Sequence, residues 1–177
     1  MRKQGLLVLV CGLLAAASGV QGALPATELA MLEADAWRAR MGFHLLSIRG
    51  DNPEDREALS QLLAQGERRV AELQGQAGSG EASQIGALGQ AWEDLSLRAL
   101  DNPLASLGYA DYGAMSEINT TTLAVADLVD QAVTASKDKY LDIADLSVTM
   151  QRLASEYLAL AAFPSAGLPT GTGLPPL

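Results

Sequence analysis

The stretch AMSEINTTTLAVADLVDQAVTASKDKYLDIADLSVTMQRLASEYLALAA (residues 114–162) decides the fold class. It contains neither proline nor glycine. One ladder runs through all of it: Thr122, Ala126, Val129, Val133, Ser136, Tyr140, Ile143, Ser147, Met150, Ala154, Tyr157, Ala161, every step three or four residues. That spacing lines one face of an α-helix. As one uninterrupted helix the stretch would be about 70 Å long at 1.5 Å per residue. Ser136-Lys137-Asp138-Lys139 is the only plausible break, since lysines suit a helix C-terminus. The unbroken register predicts a single helix, straight or gently bent.

Working back toward the N-terminus, proline and glycine sit at the edges of further periodic segments. From about Pro25 to Arg49, Leu29, Leu32, Ala36, Ala39, Phe43 and Leu46 form one helical face, widened by Trp37, Met41, Leu45 and Ile48. Gly50 ends it. Asn52 then offers an N-cap and Pro53 the first helical position, with Glu54 and Asp55 where the helix dipole favours negative charge. Leu59, Leu62, Leu63, Val70 and Leu73 carry this helix to about Gln76, and GQAGSGEAS is a turn. A third helix from about Ser83 places Ile85, Leu88, Trp92, Leu95 and Ala99 on one face and stops at Asp101-Asn102-Pro103. LLSIRGDNP and LSLRALDNP share an ending that helix-boundary chemistry accounts for. No segment alternates as a half-buried strand does. The expected architecture is all-α, an up-and-down bundle of four to five helices with a long C-terminal helix.

The two ends read differently. Arg2 and Lys3 precede an apolar run from Leu6 to Val20, and Val20-Gln21-Gly22 gives compact residues at a cleavage spacing, which predicts a signal peptide over residues 1–22 and a periplasmic or secreted protein. The run is short for a membrane span of roughly 20 residues, though a retained anchor is the alternative. The one cysteine, Cys11, lies inside it. The bundle then occupies residues 23–162, held by its core without disulfides, and the Pro/Gly-rich residues 163–177 form a flexible tail. The net charge of −9 disfavours nucleic acid and anionic lipid as partners.

Little points to catalysis. The single histidine, His44, sits in a helix between Phe43 and Leu45. No His-x-x-x-His or Glu-x-x-His pair, phosphate loop or nucleophile elbow is present, so no catalytic residue, metal or cofactor is predicted. The carboxylates are scattered along polar faces.

The segment LSVTMQRLASEYLALAA resembles the signature helix of the N-terminal sensory domain of type IV pilus methyl-accepting chemotaxis transducers, the PilJ-type domain. The matching residues are Gln151, Arg152, Ala154, Tyr157 and Leu158. Upstream, AWEDLSLRAL is similar to a Trp-led helix of that domain, and Asn119, Leu123, Ala126 and Asp127 match the next. Arg40-Met41 matches the motif of its first helix. The resemblance implies an extracytoplasmic helical bundle that engages a partner protein or a small ligand, without catalysis. It implies a ligand-binding set of Arg152, Gln151, Tyr157, Arg40 and Asn119, with an anion as one ligand class. Related nitrate sensors hold their anion with an Arg before a Met, and Thr149 precedes Met150 here. With no second span or signalling region in the sequence, the expectation is a free-standing secreted bundle.

Two other readings stand beside this one. Arg152 on a solvated face would pair with Glu156, its i+4 neighbour. The ladder over residues 114–162 would serve as a coiled-coil seam for self-association, with Ala126, Ser136, Ser147 and Ala154 allowing close approach, giving a structural homo-oligomeric envelope protein.

Overall fold

The computed structural model describes residues 24–109, 111–133 and 141–162. The expected signal peptide and the tail lie outside them. Five helices follow one another: α1 (Ala26–Arg49), α2 (Pro53–Gln76), α3 (Ala82–Leu100), α4 (Tyr112–Val133) and α5 (Leu141–Ala162). A short 3-10 turn, Ala105–Leu107, lies between α3 and α4. Among the described residues there is no strand, and the chain is an all-α bundle.

The helix ends follow local chemistry. Gly50 closes α1 in the left-handed conformation (φ 68°) and donates its N–H to the Leu46 carbonyl. The next N–H, from Asp51, reaches the same carbonyl at 2.7 Å, which closes the end of the helix on Leu46. Two residues on, Asn52 Oδ1 accepts from the Glu54 N–H at 2.8 Å and Pro53 opens α2. Asp111 does the same for α4, accepting from the Ala114 N–H at 2.8 Å.

Helices α1 to α4 form the up-and-down bundle. Each packs on its sequence neighbour, and α1 against α4 closes the ring. The main core draws Leu29, Leu32, Phe43 and Leu46 from α1, Leu59, Leu63 and Leu73 from α2, Ile85, Leu88, Trp92 and Leu95 from α3, and Met115, Ile118, Val125 and Val129 from α4. Gly66 lets Trp92 lie flat on α2, and the indole Nε1 donates to the Leu63 carbonyl at 3.3 Å. Burying five or more large apolar side chains per helix pair, at about 1.5–3 kcal/mol each, is what opposes the entropy of ordering the chain.

Two features depart from the expectation. The stretch 114–162 is not one helix. Both α4 and α5 pack along α1, which at 24 residues is only about 36 Å long, so the two halves share one partner and cannot lie end to end. The second departure is the orientation of α5. In α4 the ladder residues Thr122, Ala126 and Val129 are buried as expected. In α5 the ladder residues Ile143, Ser147, Met150, Ala154, Tyr157 and Ala161 are all exposed. Ser136 and Tyr140 lie outside the described residues. The buried line of α5 is instead Val148, Ser155, Glu156 and Ala159.

Candidate functional site at the junction of α1 and α5

α1 is buried on nearly every side, because the bundle covers one flank and α5 the other. Its polar residues Asp35, Arg40, His44 and Ser47 are therefore inside. Each needs a partner or must lose its charge. Ser47 meets Asn102, whose Nδ2 donates to the Phe43 carbonyl at 2.9 Å. Asp35 accepts from Arg38 at 2.9 Å and lies 3.5 Å from Arg69, which also pairs with Glu28. Burial outweighs those cations and raises the Asp35 pKa. His44 stacks edge-on against Phe43 with centroids 5.3 Å apart. Burial first, and the Arg40 charge second, push its pKa down to about 3, so it stays neutral.

Arg40 fixes α5. Its side chain has no solvent exposure, and its guanidinium grips Glu156 with both forks, Nη1 to Oε1 at 2.9 Å and Nη2 to Oε2 at 3.2 Å. Ser155 Oγ accepts from Nη1 at 3.2 Å. A buried guanidinium needs an anion with this planar, two-point geometry. Only one rotation of α5 supplies it, the one that turns Ser155, Glu156 and Ala159 inward. Trp37 lies beside the pair. Both Arg40 and Arg152 stand over its ring, at 5.7 and 5.3 Å from the centroid, in cation–π range. The Trp37 Nε1 donates to Glu33 Oε1 at 3.2 Å. Glu33 is raised to about 7, chiefly by burial, with Asp130 of α4 and Asp145 of α5 adding repulsion while the Trp37 hydrogen bond and Arg152 oppose it. Asp130 is raised too, by burial and then by Asp127 and Asp145.

The expected ligand set is therefore distributed over different surroundings. Arg40 is buried and engaged by a carboxylate of its own chain. Glu156 is taken by Arg40, so the pairing of Arg152 with Glu156 is not what the structure contains, and Arg152 lies half-buried on Trp37 instead. Gln151 is half-buried beside it in sequence. Asn119 belongs to the core face of α4, next to Ile118 and Thr122. Tyr157 points to solvent, 73 % exposed. The sequence reading missed Glu33, Trp37, Ser155 and Glu156 as parts of one cluster.

The consequence for α5 is an inverted helix. Small and polar groups face the protein, and Ile143, Leu146, Met150, Leu153, Tyr157 and Leu160 face solvent, each between 38 % and 73 % exposed. These six are spaced three, four, three, four and three residues apart. The bulky residues alone trace this stripe, which was the available signal. α5 packs chiefly along α1, and Val148 joins Ala126 of α4 in a small apolar cluster around Trp37. Elsewhere, an open groove between α2 and α3 runs past Ser60, Glu67, Gln74, Gln90 and Trp92. Among the described residues no group of three or more His, Cys, Asp or Glu could hold a metal ion, and no helix is long and apolar enough to cross a membrane.

No family model, no curated protein and no solved structure matches this chain.

Proposed function

We propose that this chain is a non-enzymatic interaction module, an exported bundle of the PilJ-type sensory kind that it resembles, and that it works by docking a protein partner on the exposed face of α5. The observation that carries this reading is the inverted amphipathicity of α5: six large apolar residues outward, a polar and small-residue face inward. A contiguous apolar stripe costs free energy in water until something covers it. A helix at 3.5-residue spacing fits another helical surface. A protein partner is favoured over a small anion because Arg40, the buried cation of the expected ligand set, already holds Glu156 through two hydrogen bonds. An entering anion would have to displace that carboxylate from a closed interface.

The test places a photo-crosslinking amino acid at Tyr157, and at Arg68 on α2 as a control, in the cell that makes the protein. The reading expects a discrete adduct from position 157 that disappears when Leu153→Glu is added, and none from position 68. Absence of an adduct at 157, or one indifferent to Leu153→Glu, removes the reading.

A further inference from the structure

We infer that the occupant of the α5 stripe is a second copy of this chain, bound antiparallel about a twofold axis. This rests on the docking reading above and names its partner. The first argument is register. The stripe Ile143, Leu146, Met150, Leu153, Tyr157, Leu160 has spacings that read the same in both directions. Laid antiparallel on itself, it opposes Ile143 to Leu160, Leu146 to Tyr157 and Met150 to Leu153, each twice, with no residue left over. An isologous interface requires that self-complementarity, and a helical seam at this spacing supplies knobs for the holes of its copy.

The second argument is charge. The chain carries a net charge of −9, so two copies repel over most approaches. The face of α5 is the exception. From Leu146 to Ala162 no exposed residue of the helix is charged. The positions flanking the stripe, Ser147, Thr149, Ala154 and Ala161, are small and neutral and lie open to solvent, so two helices can approach closely there. The exposed acids of α5, Asp142 and Asp145, are both at its N-terminal end. A parallel pair would bring four carboxylates together. An antiparallel pair sets each acidic end beside the uncharged end of its copy and opposes the helix dipoles favourably.

The third argument is area. Six large side chains with these exposures present on the order of 600 Å² per copy, near the ~800 Å² per partner of a standard interface. That extent lies at the low end of specific interfaces and below that of most obligate dimers.

The experiment is sedimentation equilibrium of the full chain, with Cys11→Ser, from about 1 to 200 µM. The expected result is a monomer–dimer equilibrium, reduced at least tenfold in association constant by Leu153→Glu and left unchanged by Leu97→Glu, a somewhat more exposed leucine on α3. Orientation is read by oxidising equimolar mixtures of Ile143→Cys and Leu160→Cys chains: the antiparallel seam gives the mixed disulfide well beyond the twofold excess over either homodisulfide that random pairing produces. A monomer at all concentrations with unchanged helicity overturns the second copy as occupant. In that case an adduct to a different protein at position 157 would still uphold the docking reading, and the absence of any adduct would remove both. Association indifferent to Leu153→Glu, or a mixed disulfide at or below the statistical twofold ratio, overturns the inference as stated.

Discussion

Replacing Glu156 with alanine strips the Arg40 guanidinium of its counter-ion inside the protein. Arg40 has no exposed surface and Glu156 has 3 %. The two hydrogen bonds at 2.9 and 3.2 Å go, leaving only the Ser155 hydroxyl on Nη1. Breaking one side of a buried pair costs about 3–5 kcal/mol, because the remaining charge is uncompensated. α5 has a way to limit that cost. It packs chiefly on α1, with one small cluster shared with α4, so it can leave and let water reach Arg40. The expected loss is about 3 kcal/mol or the docking free energy of α5, whichever is smaller. In urea melts at pH 7 a loss of about 3 kcal/mol lowers the midpoint by roughly 1–3 M for a slope of about 1–3 kcal/mol per molar. Hydrogen exchange tells the two routes apart: release of α5 deprotects its amides while those of α2 and α3 stay protected. The double variant Arg40→Met, Glu156→Leu should return to within about 1 kcal/mol of the parent or exceed it, since a buried ion pair adds little net stability over apolar residues of similar volume. Glu156→Ala within about 0.5 kcal/mol of the parent, with α5 still protected, would refute the claim that this pair sets the helix.

Three further outcomes follow from the packing and the charges. Gly66→Ala puts a Cβ into the Trp92 ring, and overpacking of this kind should cost about 1–3 kcal/mol in thermal or urea melts. Asn52→Ala removes the side chain that caps α2 and should cost about 1 kcal/mol, whereas Asn52→Asp should cost a few tenths. Two opposing pH dependences should meet in the middle of the acid range. The Glu33 pKa is raised to about 7, so its contribution is whole below its unfolded value near 4.5 and is lost as pH rises from there to about 7. The His44 pKa is lowered to about 3, so its contribution is whole above its unfolded value near 6.5 and is lost as pH falls from there toward 3. The opposing slopes cancel between about 4.5 and 6.5. Asp35 and Asp130, also raised, add to the direction of Glu33. Glu33→Gln should weaken the fall on the alkaline side in melts taken every half pH unit.

The first three helices were legible because local chemistry and burial agree in them. Leu29, Leu32, Ala36, Ala39, Phe43 and Leu46 keep one period and are all fully buried. Asn52 and Pro53 mark the start of α2 as they do in short peptides. The opposite side of α1 was not legible. Arg40 was expected in a ligand set and is instead paired with Glu156 of α5, while Asp35 lies beside Arg69 of α2 and Ser47 beside Asn102 after α3, partners that no spacing within α1 announces. α5 was the harder case because two faces compete in its sequence. The apolar periodicity asks for burial of the stripe through Met150 and Tyr157. A single long-range requirement, Arg40 seeking a carboxylate 116 residues away, asks for the other face. The structure takes the rotation that pairs Arg40 with Glu156 and leaves six large apolar side chains partly exposed, so pairing of a buried charge is weighed against burial of a whole apolar face only in the placed helices. Pattern reading has no access to that comparison until the helices are placed.

Thiol accessibility along α5 tests the central claim most directly. In a Cys11→Ser background at nanomolar concentration, Leu153→Cys and Tyr157→Cys should react with a maleimide at nearly the rate of a free thiol, while Ser155→Cys and Ala159→Cys should be protected at least tenfold. The reverse pattern, with Leu153→Cys protected and Ser155→Cys reactive, would mean that α5 buries its apolar stripe after all, and the docking face would not exist.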